Sequence, residues 1–157
     1  MPTVREIYEY INSFAPFSSQ ESWDNSGLLL GDPDRQVKTV AVVLDATKKT
    51  VEAAKKAQAD MIVTHHPVIF SPLKKITAGS VVYDLLTNDI SVVSAHTCWD
   101  SAAGGVNDTL AEILGFENKI AIGIRLFGNC NPNRYPLNLK RLNIISIPSG
   151  FHHNLSS

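Results

Sequence analysis

Three short apolar runs, each followed by polar residues, constrain the fold of this chain more than any other feature of its sequence. The runs cover residues 39–45, 61–64 and 90–95 and are rich in β-branched side chains. A continuous apolar run without alternation is typical of a strand buried on both faces. Residues 48–58 and 79–88, which lie between the runs, have the composition of helices. This alternation predicts an α/β fold with a mostly parallel sheet flanked by helices.

Two further helices are predicted outside these three strands. Thr3 and Glu6 have the spacing of a capping box, and the apolar residues that follow recur at helical spacing over residues 4–14. Residues 107–114 are predicted as a second helix, which Gly115 would end. Before Gly115 the sequence also predicts a loop over residues 18–36 that holds one short strand at residues 27–31, and a second loop over residues 97–105.

Charge is distributed unevenly along the chain. Lys and Arg number 14 and Asp and Glu 15, yet no acidic residue follows Glu117. The regular periodicity of the chain is lost from about Gly123, and beyond it only residues 142–147 resemble a strand. We therefore predict two parts, a regular α/β domain over residues 1–123 and an atypical basic tail over residues 124–157 that is a candidate for poor order.

The overall composition excludes several classes of protein. A formal net charge of −1 gives no strong indication of nucleic-acid binding. No apolar run approaches the ~18–20 residues of a membrane span, and the first residues are polar, so we predict a cytoplasmic protein without a membrane partner. Cys98 and Cys130 lack the spacing of a metal site and are interpreted as free thiols.

Histidines follow two of the predicted strands directly. His65 and His66 come after residues 61–64, His96 comes after residues 90–95, and Asp100 lies four positions beyond His96. Function in parallel α/β sheets gathers at the edge where the carboxyl ends of the strands meet. Imidazole and carboxylate groups are ligands of Zn, Mn, Fe or Ni. The sequence therefore predicts a metal site at this edge.

The adjacent pair His65-His66 favours two ions over one. Neighbouring side chains on an extended backbone point to opposite sides, so each can serve one of two ions held ~3.5–4 Å apart. Asp100 can complete one of these sites, and His96 is left open as a ligand, a proton shuttle or a group that orients a ligand. The alternatives are histidines with a structural role and Asp100 as a turn residue. A Cys98–His96 nucleophile and base is weaker, because nothing indicates a lowered thiol pKa.

At these residues the sequence resembles a known family. It is similar to the N-terminal part of the Nif-three-like family (NGG-one interacting factor three-like proteins, also called GTP cyclohydrolase 1 type 2 homologues). The similarity extends over residues 3–123. It rests on three motifs: Trp23-Asp24-Asn25-Ser26-Gly27-Leu28, Thr64-His65-His66-Pro67, and Ser94-Ala95-His96-Thr97 with Asp100 and Gly104-Gly105-Val106-Asn107-Asp108.

The resemblance implies a Nif-three-like α/β domain, incomplete at its C-terminal side, with a dinuclear metal centre. By the family pattern, His65 and His66 bind different divalent ions (Zn, Mn, Fe or Ni), Asp100 joins one of them, and His96 lies in the same pocket. The resemblance further implies metal-dependent hydrolysis of a nucleotide or phosphoester, with a small-molecule or nucleotide substrate. It also implies ring-shaped homo-oligomers, an expectation that is weaker for a shortened chain.

The sequence departs from the family pattern in two places. Cys98-Trp99 stands where the family usually has Asn-Leu. The family's second half supplies a further His and a bridging Glu from an HxxxE helix, whereas here no acidic residue follows His152 or His153. We expect the tail to be the product of a C-terminal truncation or a shifted reading frame. The alternative is a genuine short variant that evolved a basic tail.

Three functions are consistent with this sequence. The first is a metal-dependent hydrolase of the family type, although half of the family's metal site is missing from the sequence. The second is a non-catalytic binding or interaction protein that keeps part of the pocket. The third is an inactive fragment, which would expose an apolar surface where a second domain normally packs.

Overall fold

The computed structural model describes residues 1–122 and 125–130. Within them, Met1–Trp99 form one compact unit, and the residues from Asp100 onward belong to a second. The first unit contains the sheet and all three candidate histidines. No helix in the described part of the chain is long and apolar enough to cross a membrane.

Four α-helices and four strands follow one another up to Ser101. Thr3 caps the first helix through a complete capping box with Glu6, and Thr47 accepts a hydrogen bond from the amide of Thr50 at the start of the second. A short 3₁₀ turn at Phe17–Ser19 follows the first helix. In chain order the elements are α1 (Val4–Phe14), β1 (Gly27–Leu30), β2 (Val40–Val43), α2 (Lys48–Lys56), β3 (Met61–Thr64), α3 (Val81–Thr87), β4 (Ser91–Ser94) and α4 (Thr97–Ser101).

The four strands form one sheet in the order β1-β4-β3-β2. β2, β3 and β4 are parallel, with Val43 opposite Thr64 and Thr64 opposite Ser94. β1 runs antiparallel to β4. The prediction of an α/β fold with a mostly parallel sheet is therefore confirmed, and the register brings the last residues of the three parallel strands to the same edge.

Helices cover both faces of this sheet. Ile62 and Val92 pack on one face with apolar side chains of α2 and α3. Met61 and Val93, their neighbours in sequence, pack on the other face with side chains of α1. All four side chains are fully buried, which at ~1.5–3 kcal/mol for each large apolar side chain makes the two central strands a major source of stability. Packing on both faces therefore makes the strands that end at the histidines rigid.

β1 is joined to the sheet through a close approach at Gly31. The register of β1 against β4 shifts between Leu28 and Leu30, and Gly31 follows with a φ of 102°. A Cβ atom at this position would lie 2.2 Å from Oγ and 2.7 Å from Cα of Ser91. Only glycine fits both the backbone angle and the space.

The prediction that residues 39–45 are buried on both faces is wrong. β2 is the edge strand of the sheet, and Val42 is 78% exposed. Ala41 and Val43 pack against the core, whereas Val40 and Leu44 are also exposed. An apolar run reports the preference for a strand, but it does not report whether both faces are covered.

The residues from Thr97 onward contain structure that was not predicted from the sequence. The predicted loop 97–105 is wrong in its first half, because α4 begins at Thr97; a helix of five residues is too short to show periodicity. The predicted helix at residues 107–114 is found as α5 (Val106–Ile113). β5 (Phe116–Ile122) and β6 (Arg125–Cys130) then pair as antiparallel strands, so regular structure extends past residue 123. The domain boundary at 123/124, the remainder of the predicted tail and the possible strand at 142–147 lie outside the described residues.

Candidate metal centre

His65 and His66 lie just beyond β3, in a bend rather than a strand. The amide of His65 donates to the carbonyl of Val43 (3.3 Å), and the next amide, that of His66, donates to the carbonyl of Leu44 (3.0 Å). Successive amides of a regular strand point to opposite sides, so two consecutive bonds to one neighbouring segment break the pattern. The premise that these histidines lie on extended backbone is therefore wrong, and their side chains are not forced apart.

The structure brings His96 together with this pair. His96 lies two residues beyond Ser94, whose hydroxyl contacts the hydroxyl of Thr64 across the strands (2.6 Å). One ligand nitrogen from each of the three histidines lies within 4.8 Å of the others. The ring centroids are 4.9 Å apart for His65 and His66, 5.1 Å for His65 and His96, and 5.5 Å for His66 and His96. The predicted convergence of the three histidines at one sheet edge is found.

Each of the three imidazole rings is oriented by an oxygen atom within hydrogen-bond distance of its Nδ1. Nδ1 of His65 lies 3.0 Å from the carbonyl oxygen of Ala95. Nδ1 of His66 lies 2.7 Å from Oδ1 of Asp45, and Nδ1 of His96 lies 2.9 Å from Oδ1 of Asp24. Each Nδ1 that donates to its oxygen carries the ring proton, so Nε2 is the nitrogen with which each ring would bind a metal.

Asp24 is the most strongly held of these partners. Its carboxylate is fully buried, and its second oxygen accepts hydrogen bonds from the amide and hydroxyl of Thr97 (3.0 and 2.5 Å) and from the hydroxyl of Ser26 (2.9 Å). Burial alone would raise the pKa of this carboxyl. The hydrogen bonds from His96, Thr97 and Ser26 outweigh burial and hold its pKa well below the usual range. The carboxylate therefore stays ionised and fixes the ring of His96.

The partner of His66 is more open to solvent. The side chains of His66 and Asp45 are 34% and 52% exposed. Water and dissolved ions screen an exposed pair of this kind much more than a buried one. The site thus has one rigid, buried histidine in His96 and one more accessible histidine in His66.

An aromatic wall borders the histidines. The rings of Trp23 and His96 are 6.0 Å apart in an edge-to-face arrangement, and the rings of Trp23 and Phe70 are 6.2 Å apart. The side-chain amide of Asn25 donates to the carbonyl of Ile69 (2.6 Å), which ties the segment before Phe70 to the segment after Trp23. This contact explains why two residues far apart in sequence stand side by side at the site.

The residues present fit a divalent transition metal. Neutral imidazole is a preferred ligand of Zn, Fe and Ni, and three of them leave further coordination positions open. An oxygen on the second ring nitrogen is the usual surrounding of a metal-binding histidine. The three clustered histidines, each with an oxygen atom beside its second ring nitrogen, therefore form a possible metal site. The identity of the metal and the number of ions stay predictions.

Asp100 and Cys98 were the other two candidate site residues predicted from the sequence. Asp100 lies on α4 at the start of the second unit, and its role as a ligand stays a prediction. Cys98 is buried in the core. Burial raises the pKa of its thiol, which is the opposite of what a nucleophile requires. The Cys98–His96 alternative loses its support.

The sequence analysis missed the carboxylates that orient the histidines. Asp45 follows β2 at the same edge of the sheet as the histidines, so the argument that selected His65 and His66 applied to it as well. Asp24 lies in a loop before β1, and only the fold brings it 72 positions along the chain to His96. No local pattern in the sequence gave Asp24 that role.

Comparison with known proteins identifies the family. The family model of Duf34/NIF3 (NGG1p interacting factor 3) matches residues 2–151. The chain belongs to the Duf34/NIF3 family. This confirms the resemblance read from the three motifs, which include the histidines and the loop of Asp24.

Similar proteins and solved structures match the same chain. A GTP cyclohydrolase 1 type 2 homolog of Clostridium perfringens is 40% identical over 121 residues, which are 74% of this chain and 46% of the relative. The crystal structure of a Bacillus cereus protein related to NIF3 is similar with a TM-score of 0.73 and 38% identity, covering 76% of this chain and 34% of that one. Reduced HcgD from Methanocaldococcus jannaschii gives a TM-score of 0.75 at 33% identity, covering 81% and 54%.

The chain spans less than half the length of the curated relative from Clostridium perfringens. Membership in the Duf34/NIF3 family and the α/β fold are thus established for this chain. The activity of the longer proteins is carried to it only as a proposal.

Proposed function

We propose that this chain binds a divalent transition metal through His65, His66 and His96 and contributes it to the hydrolysis of a nucleotide or phosphoester. The observation that carries the proposal is that an oxygen atom lies within hydrogen-bond distance of Nδ1 of each ring. Ala95, Asp45 and Asp24 contribute these oxygens. The ring nitrogens of histidines with a purely structural role hydrogen-bond to separate partners, and they need not lie close to one another. Here all three rings are fixed with one ligand nitrogen each inside a 4.8 Å cluster.

The chain's own residues would bind and orient the reacting groups. A bound divalent ion supplies Lewis-acid activation of water and of the group under attack. Asp24 keeps His96 in one tautomer and one orientation, while the exposed side of His66 leaves an approach for substrate. Asp100, which the family pattern adds to the ligands, is proposed here as a further oxygen ligand. We also propose that the complete site of the family holds two ions.

Metal titration tests the binding half of this proposal. The full chain, stripped with a chelator, is titrated with Zn²⁺ and with Mn²⁺ by calorimetry, and we expect saturation at one or two equivalents. His65→Ala, His66→Ala and His96→Ala should each weaken binding at least tenfold, and Asp100→Ala should do the same if it is a ligand. Asp34→Ala, which removes an exposed carboxylate paired with Arg5, is the matched control. Wild-type binding no stronger than that of the His65→Ala chain would refute the proposal.

Turnover tests the catalytic half separately. The metal-loaded chain is incubated with nucleoside triphosphates and with a generic phosphodiester, and release of phosphate or opening of the purine ring is followed. Hydrolysis that His65→Ala abolishes would support the enzyme. Stoichiometric metal without turnover would instead favour the binding protein among the three functions considered, because the chain would hold the ion without the remainder of the site.

A further inference from the structure

We propose that Trp23 is a stacking platform for the planar ring of the substrate, so that the substrate class of this site is a nucleotide rather than a simple phosphoester. This inference rests on the proposed function and deepens it. Trp23 is 43% exposed although its ring contacts His96, one of the three candidate ligands. This exposed aromatic surface beside a candidate metal site is accessible to a ligand.

The geometry of the neighbouring ring fixes where a ligand can stack. Trp23 and Phe70 are tilted by 52° with their centroids 6.2 Å apart. A ring inserted between two others needs parallel faces about 7 Å apart, twice the ~3.5 Å carbon–carbon contact distance. The pair is too close and too tilted for that. A planar ligand therefore stacks on the exposed surface of Trp23, and Phe70 supports Trp23 from the side.

The platform is held in place before any ligand arrives. Asn25 donates to the carbonyl of Ile69, next to Phe70, and the amide of Asn25 donates to the buried carboxylate of Asp24. Trp23 is thus bracketed by the same loop that orients His96. A ligand ring on Trp23 lies beside the histidine cluster, where the bond to be hydrolysed must be.

The exposed loop that follows Phe70 has a charge suited to the other end of such a ligand. Lys74 and Lys75 lie in this loop and are both exposed. An aromatic surface binds a base by stacking, and ammonium groups bind phosphate, so the two features together suit a nucleotide. A phosphoester without a planar ring would make no use of Trp23.

The test compares a ligand with a base to one without. Binding of guanosine 5′-monophosphate and of ribose 5-phosphate to the full chain is measured by equilibrium dialysis in the presence of a chelator, so that metal makes no contribution. The wild-type chain should bind the nucleotide about tenfold more tightly, corresponding to the lower part of the range for stacking of a base on an aromatic ring. Trp23→Ala should remove this preference, and Trp23→Phe should restore most of it.

Fluorescence provides a second readout that a structural role for Trp23 would not produce. In a Trp99→Phe background Trp23 is the remaining tryptophan, and the nucleotide, but not the sugar phosphate, should quench its emission. Tyr10→Ala, which removes an exposed ring of α1 that contacts Phe14, is the control and should keep the preference. Equal binding of the two ligands, binding of neither, or an unchanged preference in Trp23→Ala would overturn the inference. None of these results depends on the zinc titration, so the two proposals can fail separately.

Discussion

Nδ1 of His96 lies 2.9 Å from Oδ1 of Asp24, and both side chains are buried, with 4% and 0% of their surface exposed. A buried carboxylate is costly unless it is well paired, and here four residues hydrogen-bond to it: Asn25, Ser26, His96 and Thr97. The pair therefore links a loop that precedes the sheet to the end of β4. It also fixes the orientation of His96, one of the three candidate ligands.

Replacing Asp24 should weaken metal binding without removing a ligand. In Asp24→Asn, the amide cannot accept every hydrogen bond that the carboxylate accepts, and it no longer stabilises the required tautomer of His96. We expect a loss of about 10–100-fold in zinc affinity, the usual effect of changing a group that orients a metal-binding histidine. Calorimetric titration of the folded variant measures this. Asp34→Asn, which changes an exposed carboxylate, should bind zinc like the wild type.

Replacing Asp45 should have a smaller and salt-dependent effect. The pair that Asp45 makes with His66 is half exposed, so solvent can substitute for part of the interaction. We expect Asp45→Asn to lower zinc affinity less than Asp24→Asn does. The difference from wild type should shrink further between about 0.05 and 0.5 M salt, because exposed charges are screened over a few ångströms at high ionic strength. An effect equal to that of Asp24→Asn at both salt concentrations would contradict this view of the site.

Gly31→Ala should destabilise the protein strongly. The added methyl group would collide with the backbone of Ser91, and the φ of 102° is unfavourable for alanine. Overpacking and backbone strain of this kind each cost about 1–3 kcal/mol, so we expect a loss of about 3 kcal/mol in the free energy of unfolding. Gly79→Ala is the matched control, since Gly79 has a φ of 81° but no atom near its Cβ position. Urea denaturation of both variants should show a much smaller loss for Gly79→Ala.

Asp60 should make stability depend on acidic pH. Its carboxylate accepts the amides of Thr39 and Lys38 (2.9 and 2.8 Å) and lies 3.7 Å from the guanidinium of Arg35. These contacts lower the pKa of Asp60 in the folded protein. The stabilisation is therefore fully present above the unfolded pKa, near 3.9, and is lost as the pH falls through the lower folded value.

The variant Asp60→Asn isolates this contribution. We expect it to be less stable than wild type by about 1–2 kcal/mol at pH 7, somewhat below the ~1.5–3 kcal/mol typical of hydrogen bonds to a charged group, because the Asp60 side chain is partly exposed. The gap between the two proteins should narrow as the pH is lowered below 4, because the wild-type carboxyl becomes neutral. A gap that stays constant from pH 7 to pH 3 would show that the charge of Asp60 has no part in it.

Cys98 should be unreactive in the folded chain. Its side chain is buried and burial raises the pKa of the thiol, so both access and thiolate content are low. In a Cys130→Ser background, alkylation by iodoacetamide at pH 8 should be at least a hundredfold slower in buffer than in denaturant. Rapid alkylation of the folded protein would revive the nucleophile that the structure argues against.

The sequence predicted the central sheet well because its strands are short and strongly apolar. Residues 61–64 were predicted with the bounds that β3 has in the structure. β2 was located correctly but assigned the wrong environment, since apolar residues such as Val42 occur at an exposed sheet edge as well as in a core. β5 was not predicted because its residues 116–119 mix polar and apolar side chains without alternation, and its pairing with β6 determines its structure.

The candidate site was predictable as a set of histidines but not as a geometry. Strand ends located His65, His66 and His96, because the carboxyl edge of a parallel sheet is a property of the topology. The contact between His96 and Asp24 was not accessible, because it depends on how a loop 72 positions away folds back. The premise of an extended backbone at His65 and His66 failed because both residues lie in a bend beyond the end of β3 at Thr64.

The three oxygen atoms that hydrogen-bond to the histidine rings have a thermodynamic consequence. Because Ala95, Asp45 and Asp24 already fix the rings, a metal ion would bind an ordered site and would leave secondary structure unchanged. Its binding free energy would then add directly to the stability of the native state, as RT ln(1 + [M]/Kd). Removal of the ion by a chelator would lower the melting temperature of a fold that keeps its shape.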